Sequence, residues 1–554
     1  MGDAVTRPLP LVTTRNEFFW HSGEDGRLRF LRCGGCGALL HPPGPICVYC
    51  RSTDLTPATV SGRGVVVGHT VNQQAWSAGF PPPYIVALVA IDEDPRVRLT
   101  TNLVHCEPDQ IRLGTRVKVL FEPAEDIWVP LFEPTGETDP APVPQDQPAA
   151  DQVGRQVRPM VTTDKYERKV ALSGIGMSTI GRKLMGDPLG LTVSACLGAI
   201  ADAGLRAEDI DGMSTYPAGA GEGGFSEGGV TALEAVLGLH PTWHNGAPET
   251  FGAVGMIDAA ALAVAAGLCR HVLCYRTVWQ STHAELVRAG RLPGGPGGRV
   301  TGLGEWMAPF GSQPANTVAM AMTRHFEAYG TTRETLGWIA LNARRNAMDN
   351  PTALFRQPLT MDEYLSARMI SAPMCLYDCD PLCDGSVAVV VSAVEAARDL
   401  PHPVVRIEAV GTQILERMEW DQGVLTHEPH VLGPCAHLWS RTSLRPADVD
   451  VAELYDGFSF NCLSWLEALG FCGIGEAGDF LQGGRAIGRD GQIPLNTHGG
   501  QLSHGRTHGM GLVHEAVTQL RGDAGVRQVP GVEVALTTSG GLTPGAAMLL
   551  TTDR

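Results

Sequence analysis

The sequence predicts an α/β protein built from two similar halves, preceded by a zinc ribbon and a small β-barrel. Three observations predict it: paired cysteines near the N-terminus, short alternating apolar runs after them, and a strand–helix–strand pattern that occurs twice in the remainder. A chain of 554 residues is too long for one hydrophobic core, so two to four domains are expected.

Charge, hydropathy and cysteine spacing indicate which partners and which cellular compartment the protein has. The formal net charge of −17 argues against nucleic acids and anionic membrane surfaces. Residues 1–15 have no apolar segment, so no signal peptide is expected. The longest apolar stretch, Ala253–Tyr275, contains Asp258 and Arg270, which fits a buried helix and a strand better than membrane insertion. Most of the cysteines are scattered, which favours reduced thiols and a cytoplasmic protein.

The first predicted domain, 13–56, begins with a helix near Asn16–Trp20 and contains two C-x-x-C pairs ten residues apart. This spacing is a strong zinc-ribbon signal, with a redox dithiol as the alternative. Four thiolates close a tetrahedral site with no open position, so the predicted Zn²⁺ is structural. The predicted ligands are Cys33, Cys36, Cys47 and Cys50.

The second predicted domain, 57–135, changes to short alternating runs with Gly and Pro between them, which indicates an OB-type β-barrel. The clearest predicted strands are Val65–Val71, Tyr84–Ile91, Arg98–Val104 and Arg116–Phe121. Such barrels can bind single-stranded nucleic acid. The scarcity of lysine here disfavours that function.

A linker and a large C-terminal domain follow the barrel. Residues 136–167 are rich in Pro, Gln and Asp and lack apolar periodicity, so a semi-extended linker is predicted. The large domain is expected over 168–554, with halves at about 168–400 and 401–554.

An internal repeat defines those halves. Leu205–Asp211 (L-R-A-E-D-I-D) parallels Leu444–Asp450 (L-R-P-A-D-V-D) at a constant spacing of 239 positions (444 minus 205). At the same spacing Tyr216 matches Tyr455. Two halves with one pattern imply a duplicated α/β unit with a site between them.

The stretch Val451–Phe460 (V-A-E-L-Y-D-G-F-S-F) carries the strongest site signal. A strand delivers Tyr455 and Asp456 into a turn, and a helix over 461–469 follows. Polar side chains at the carboxyl end of a strand lie where open α/β sheets hold ligands. The alternative is an ordinary strand-to-helix turn in which Asp456 caps the helix.

The N-terminal region resembles the DUF35 family, which combines a zinc ribbon with an OB-fold. Besides the four cysteines, the resemblance rests on H-P-P-G-P at 41–45, V-S-G-R-G at 60–64 and Leu131–Pro134. In that family the barrel mainly assists thiolase-like or hydratase-like subunits that act on CoA thioesters. The resemblance therefore implies a CoA thioester substrate and a hydratase as a candidate partner.

Residues 168–554 resemble the thiolase superfamily, nearest to the sterol-carrier-type thiolases and the lipid-transfer-protein aldolases. The motifs are Ile180–Arg182, Asp202–Gly204, Asp380–Gly385, Asn496–Gly500, Gly505–Gly511 and Ser539–Gly541. The resemblance implies a five-layer α/β/α/β/α sandwich that forms a homodimer.

The family's catalytic positions are substituted in this chain. A thiolase needs a nucleophilic cysteine before a buried helix, and Glu249 falls at that position. The second cysteine is replaced by Thr537 and the Gly-His-Pro histidine by Arg506. Covalent acyl transfer is therefore not expected. In the aldolase branch a tyrosine at the position of Tyr455 is proposed as acid/base.

These features predict retro-aldol cleavage of a 3-hydroxyacyl-CoA, with a steroid side-chain CoA ester as one candidate. The products would be a ketone or aldehyde and a shorter acyl-CoA. The reaction needs a base, an acid and donors for the enolate oxygen. The candidate residues are Tyr455 as acid/base, Asp456 as an orienting group, His504, Arg506 and His508 as loop donors, and Glu249 at the helix start. The histidines could instead be polar loop residues, and Glu249 could simply favour the helix terminus.

Two other functions compete with this hypothesis. One is a Claisen-type acyltransferase that uses a displaced cysteine, and the other is a non-catalytic acyl-CoA-binding scaffold. Thiol alkylation would abolish activity only in the first of them. The sequence identifies no CoA-binding residues.

Overall fold

The computed structural model describes residues 7–77, 79–137, 140–143, 157–216, 222–247, 250, 252–293, 298–417, 421–541 and 544–552. Across these ranges, no helix combines the length and the apolarity that crossing a membrane requires. Part of the predicted linker (138–139 and 144–156) lies outside the described residues.

The N-terminal segment folds as the predicted zinc ribbon. A short helix, α1 (Glu17–Trp20), precedes a three-stranded antiparallel sheet. Its strands are β1 (Arg29–Cys33), β2 (Leu39–Leu40) and β3 (Leu55–Thr59), with β1 in the middle. Phe19, Trp20 and Phe30 are fully buried beneath it. The aromatic residues near the predicted helix therefore serve as core.

The predicted β-barrel follows the ribbon. Its strands are β4 (Arg63–Asn72), β5 (Tyr84–Ile91), β6 (Asp94–Leu103), β7 (Arg116–Ala124) and β8 (Ile127–Pro134). They are hydrogen-bonded in the order β4-β5-β6-β8-β7, and β7 pairs back onto β4. The last strand, β8, was not among the clearest strand signals of the sequence.

The C-terminal part alternates strands and helices. The strands are β9 (Val170–Met177), β10 (Gly212–Ser214), β11 (Trp243–Asn245), β12 (His271–Trp279), β13 (Met369–Ala372), β14 (Met374–Cys375), β15 (Asp384–Ala393), β16 (Val405–Gly411), β17 (Val451–Glu453), β18 (Val534–Ser539) and β19 (Ala546–Thr552). The helices, numbered here after α1, are α2 (Pro188–Asp202), α3 (Gly229–Leu237), α4 (Gly252–Ala265), α5 (Gln280–Arg288), α6 (Pro314–Tyr329), α7 (Arg333–Met348), α8 (Met361–Leu365), α9 (Val394–Ala397), α10 (Leu432–Ser440), α11 (Ser459–Ala468), α12 (Ala477–Leu481) and α13 (Met510–Arg521).

The strand order displays the duplication. Within the described residues the order is β11-β10-β12-β15-β9 in one half and β16-β19-β18-β17 in the other. The two halves are joined where β9 pairs with β16. Strands β10 and β17 are the same length and lie 239 positions apart (451 minus 212), as the repeat predicts.

Five layers result, as the resemblance implied. Helices α4 and α13 form the middle layer and pack against strands of both halves. Helix α2 covers the outer face of the first half, and α10 and α11 cover that of the second. Alternation along β12 divides its side chains between layers: Val272 and Cys274 face the middle helices, and Leu273 and Tyr275 face α2.

The repeated L-R-x-x-D-x-D segment has one structural task in both halves. The side chain of Asp211 accepts the backbone N–H groups of Arg270 and His271, where β12 begins. Asp450 accepts those of Glu533 and Val534, where β18 begins. Each aspartate thus fixes the start of a neighbouring parallel strand, which explains why the motif occurs twice.

The barrel is joined to the C-terminal part by strand pairing. At its far end β4 leaves β7 and pairs with β13, with Asn72 opposite Ser371. The Asn316 side chain donates to both residues, at 3.0 Å to Asn72 Oδ1 and 2.8 Å to Ser371 Oγ. All three side chains are buried. Buried polar groups that satisfy one another fix the register of this junction.

Replacing Asn316 by Ala is expected to loosen the junction selectively. Losing the shared donor removes one hydrogen bond from each of two buried acceptors, which keep Trp76 and Thr70 as partners. At about 1 kcal/mol for each bond, the cost is about 2 kcal/mol. Hydrogen exchange at the Gln73 amide, which donates to Ile370 across the junction, should accelerate by roughly 30-fold.

Asn342→Ala is the matched control, because this buried side chain donates to Leu495 within the C-terminal part. The control should leave exchange at Gln73 unchanged. Equal protection of Gln73 in the parent and in Asn316→Ala would mean that the cluster does not hold the junction.

Candidate active site

A cavity of about 360 Å³ opens where the two halves meet, at the carboxyl ends of β10 and β17. Its wall is mostly apolar and receives polar side chains from both halves. The lining residues are Tyr216, Phe225, Gly252, Arg276, Pro314, Asp380, Tyr455, Gly457, Phe458, Asn461, Arg506, His508, Gly540 and Gly541. This position fits the general location of sites in duplicated α/β folds.

Tyr455 lies in this wall, two residues beyond the end of β17. Its ring is held between glycines: a Cβ built on Gly457 would lie 2.8 Å from the ring, and one on Gly541 would lie 3.0 Å from it. Both positions must be glycine for the ring to sit there. Burial and the neighbouring Asp380 raise the pKa of Tyr455 above its ordinary value, against the opposing effect of Arg506. The group is therefore a phenol, and not a phenolate, at neutral pH.

A carboxylate and a guanidinium are paired beside the phenol. Arg506 donates from Nε to Asp380 Oδ1 at 2.6 Å, and its Nη2 reaches the same oxygen. Within the described residues no side chain is hydrogen-bonded to Oδ2 of Asp380. Burial raises the pKa of Asp380 above its usual range, while Arg506 opposes the rise. The pair therefore presents one carboxylate oxygen to the cavity.

A second cluster joins the halves across the cavity. Arg276, on β12, donates to the carbonyl of Tyr216 at 2.8 Å and to Nδ1 of His508 at 3.0 Å. The Tyr216 hydroxyl donates to the carbonyl of His508 at 2.6 Å. Burial, with Arg276 and Arg506 nearby, lowers the pKa of His508 well below its ordinary value. His508 is therefore a neutral imidazole held by two residues of the first half.

Asp456 is the first predicted site residue that does not line the cavity. Its carboxylate turns away from Tyr455 and accepts the backbone N–H groups of Gln501 at 2.7 Å and Leu502 at 3.4 Å. Burial raises its pKa to about 7. Asp456 thus holds the glycine-rich loop, and its contacts differ from helix capping as well as from substrate contact.

His504 is the second predicted site residue that does not line the cavity. It ends the π-helical turn Gly500–His504, where it is buried against His498 with 5.0 Å between ring centroids. Its Nε2 lies 3.2 Å from the hydroxyl of Thr352. Of the loop residues predicted as donors, the structure brings Arg506 and His508 into the cavity and leaves His504 behind the loop.

The expected nucleophile positions supply no thiol to the cavity. Glu249 lies outside the described residues. Thr537 is buried in β18. Cys269 and Cys274 are also buried, and burial raises the pKa of Cys269 to about 12. Among the described residues that line the cavity there is no cysteine.

Three further residues near Tyr455 were not predicted from the sequence: Gln501, Glu428 and Asn461. The amide oxygen of Gln501 accepts the N–H of Gly509 at 3.1 Å, and the Gln501 side chain also contacts the Tyr455 phenol, where it favours the phenolate. Behind the wall, Glu428 accepts from Asn461 at 2.7 Å and from the Gly541 N–H at 2.8 Å. No spacing in the sequence marks these residues, because the chain folds them together from separate loops.

The four ribbon cysteines converge on one point. Their sulfur atoms all lie within 4.8 Å of one another, with Cys33 and Cys50 3.4 Å apart and Cys36 and Cys47 3.6 Å apart. A tetrahedral Zn²⁺ with Zn–S bonds of about 2.3 Å needs sulfurs roughly 3.8 Å apart. The arrangement fits four thiolates around one ion.

Three family models match the chain in series. They are described as "ChsH2, rubredoxin-like zinc ribbon domain" over residues 20–56, "ChsH2, C-terminal OB-fold domain" over 58–122, and "Thiolase C-terminal domain-like" over 436–552. The zinc ribbon, the barrel and the thiolase-like part thus have separate counterparts.

Two curated relatives match the C-terminal part over almost their full length. The "Steroid side-chain-cleaving aldolase" of Thermomonospora curvata is 36% identical over 393 residues, which is 69% of this chain and 98% of that protein. The "17-hydroxy-3-oxo-4-pregnene-20-carboxyl-CoA lyase" of Mycobacterium tuberculosis is 34% identical over 397 residues, or 69% of this chain and 99% of that protein.

A solved structure described as "Ltp2-ChsH2(DUF35) aldolase" has the same fold in this part. It superimposes with a TM-score of 0.62 at 32% identity, covering 70% of this chain and 98% of that chain.

Proposed function

The chain belongs to the aldolase branch of the thiolase superfamily, with DUF35-type zinc-ribbon and OB-fold domains at its N-terminus, and we propose that it cleaves a steroid side-chain CoA ester by a retro-aldol reaction. It is a carbon–carbon lyase that acts on a 3-hydroxyacyl-CoA and releases a ketone or aldehyde and a shorter acyl-CoA. One observation carries the mechanism: the described cavity wall contains a carboxylate, a phenol and an imidazole, and no thiol.

Asp380 is the proposed base. Both Arg506 donors that reach it converge on Oδ1, which leaves Oδ2 for the β-hydroxyl of the substrate. Burial raises its pKa, and a more basic carboxylate accepts a proton more readily. When the hydroxyl proton moves to Oδ2, the C–O bond becomes a carbonyl and the Cα–Cβ bond breaks. The bonding electrons then pass to the thioester as an enolate.

Tyr455 is the proposed acid. Its raised pKa keeps the phenol protonated until a strong base forms beside it, and the enolate carbon is such a base. The proton moves from the phenol to Cα, and the phenolate recovers a proton from Asp380 directly or through water. The net change is one proton moved from the hydroxyl to Cα, so no oxidant or cofactor is required. Arg506 stabilises both the thioester enolate and the Tyr455 phenolate electrostatically.

The competing functions are less well supported. Acyl transfer needs a thiolate within reach of the thioester, and no described lining residue supplies one. A passive scaffold would not need a buried carboxylate and a protonated phenol side by side, because both are costly to desolvate.

A homodimer through residues 168–554 is part of the proposal. Strand β11 is the outermost described strand of its half, and Leu262 and Leu268 on the adjoining surface are exposed. An edge strand beside exposed leucines favours pairing with a second copy.

A hydratase that supplies the 3-hydroxyacyl-CoA is proposed as a partner of residues 13–135. Ile46, Val48 and Tyr49 are exposed on the ribbon, and Arg96 stacks on the Tyr49 ring. The assembly would act in the cytoplasm, where the ribbon cysteines remain available for metal.

Zn²⁺ held by the four ribbon cysteines is proposed as structural. A closed tetrathiolate site orders the ribbon and contributes no chemistry to the cavity.

The decisive experiment compares parent and Tyr455→Phe with branched 3-hydroxyacyl-CoAs, including a steroid side-chain ester. The parent should release equimolar carbonyl product and shorter acyl-CoA, and the variant should lose at least about 10²-fold in kcat because it lacks the acid. Both should show equal unfolding midpoints and zinc contents. Undiminished cleavage by Tyr455→Phe would remove Tyr455 from the mechanism, and a covalently acylated enzyme would favour acyl transfer.

The pH dependence of kcat/KM distinguishes the Asp380 carboxylate from the Tyr455 phenolate as the base. With Asp380 as base, kcat/KM should fall as the pH drops through the raised pKa of that carboxyl, because the protonated form accepts no proton. Since the pKa of Tyr455 is also raised, activity should stay level between about pH 8 and 9.5.

Asp380→Asn should lower kcat by about 10²–10⁴-fold. Asp380→Glu should retain measurable activity with a shifted acid limb. A rate that increases steadily with pH up to 10 would instead identify the Tyr455 phenolate as the base.

Zinc binding should require the ribbon cysteines specifically. The parent is expected to contain one zinc per chain by metal analysis, and Cys47→Ser should contain less than about half as much, because three thiolates leave the tetrahedral site incomplete. Cys106→Ser, at a half-buried cysteine of the barrel, is the control and should retain full zinc. Full occupancy in Cys47→Ser would refute the assignment.

A further inference from the structure

Arg276 is a buried cation with no carboxylate bound to it. It lies within the apolar strand β12, is 4% exposed, and lines the cavity. Among the described residues it forms no ion pair, and its Nε has no hydrogen-bond partner. Glu227 is the carboxylate whose charge acts on it most strongly, but no hydrogen bond joins the two. A buried, unpaired charge is costly to retain, so its surroundings indicate what it does.

The contacts of Arg276 point to His508. A guanidinium can only donate hydrogen bonds, so the 3.0 Å contact from Nη2 makes Nδ1 of His508 an acceptor. The neutral ring must then carry its proton on Nε2. Within the described residues Nε2 has no hydrogen-bond partner, and His508 lines the cavity. The ring therefore offers the cavity one N–H donor.

The backbone of His508 is also fixed by hydrogen bonds that involve Tyr216 and Arg276. Its φ of 53° lies in the left-handed region, which is strained for a residue with a side chain. The Tyr216 hydroxyl donates to its carbonyl, and Arg276 donates to the carbonyl of Tyr216. The guanidinium also lies over the Tyr216 ring, 4.5 Å from its centroid. One arginine thus supports both the ring and the backbone of His508.

We propose that Arg276 is a positioning residue: it holds His508 as the neutral, Nε2-protonated tautomer, so that this N–H donates to the thioester oxygen as that oxygen becomes the enolate oxygen. The positive charge of Arg276 stabilises the negative charge on the enolate oxygen, because the imidazole of His508 is hydrogen-bonded between the two. A preorganised donor in a dry site costs no rearrangement during the reaction. This inference rests on the proposed retro-aldol function.

The first test measures the tautomer directly and does not depend on turnover. In a long-range ¹H–¹⁵N spectrum of histidine-labelled full-length protein at pH 7, the His508 signal is assigned by its loss in His508→Gln. The parent should show protonated Nε2 and unprotonated Nδ1. An imidazolium, or a proton on Nδ1, would overturn the proposal even if the enzyme cleaves its substrate. Absence of cleavage with the expected tautomer would instead refute the proposed function.

The second test separates positioning from folding. Arg276→Met should lower kcat by about 10²–10³-fold, the usual effect of losing an oxyanion donor. Its affinity for an acyl-CoA that lacks the β-hydroxyl, and so cannot react, should change less than about threefold. Arg276→Lys keeps the charge without the fork and should fall between parent and Met. An equal loss of kcat and of affinity in both variants would indicate a merely structural role.

A double-mutant cycle tests whether Arg276 acts through His508. If it does, Arg276→Met should have little further effect on kcat in the His508→Gln background. If the two residues act independently, the factors by which the two substitutions lower kcat should multiply.

Arg333→Met is the matched control for the single variant. Arg333 also donates to backbone carbonyls and stacks on a tyrosine ring, but it lies outside the cavity lining. The control should keep parental kcat.

Discussion

Burial of the polar side chains in the cavity wall between the two halves sets the charge of each of them. In a medium of low polarity a carboxyl group resists ionisation, a phenol keeps its proton and an imidazole loses its charge. Asp380, Tyr455 and His508 follow these three rules in turn. Arg276, which is buried, and Arg506, which is half-buried, are the exceptions, because a guanidinium stays protonated in proteins. The remainder of the site is organised around those two fixed positive charges.

The duplication explains how the charges come together, and divergence explains how they are used. Tyr216 and Tyr455 occupy equivalent positions after β10 and β17. The hydroxyl of Tyr216 is committed to the carbonyl of His508. Tyr455 instead lies between Gly457 and Gly541 with its ring in the cavity wall. The hydroxyl of one tyrosine supports the loop and the ring of the other faces the cavity, so the symmetry of the fold yields an asymmetric site.

The extent of sequence-based prediction follows from the range of each signal. The C-x-x-C pairs, the barrel strands and the L-R-x-x-D-x-D repeat are local patterns, and each corresponds to a local structure. Tyr455 was recognisable because the strand and turn around it are local as well. Arg276 was not, because a charged residue inside an apolar strand has no local signal and its partners come from distant loops. His504 was predicted as a donor and Asp456 as an orienting group in the site, because a loop pattern does not reveal which side faces the cavity. In the structure both side chains lie behind the glycine-rich loop.

The barrel also bears on the cavity, through the segment that leads into α6. Pro314, the first residue of α6, lines the cavity. Immediately before it, the carbonyl of Phe310 accepts from Asn102 at 2.8 Å and that of Gly311 accepts from Tyr84 at 2.7 Å, and both donors belong to the barrel. Just after it, Asn316 joins the barrel strand β4 to β13. Three contacts within seven residues therefore fix one wall of the cavity to the barrel. The barrel therefore restrains this wall without contributing a side chain to the described lining, and restraint matters because a small displacement of a site wall can cost orders of magnitude in rate.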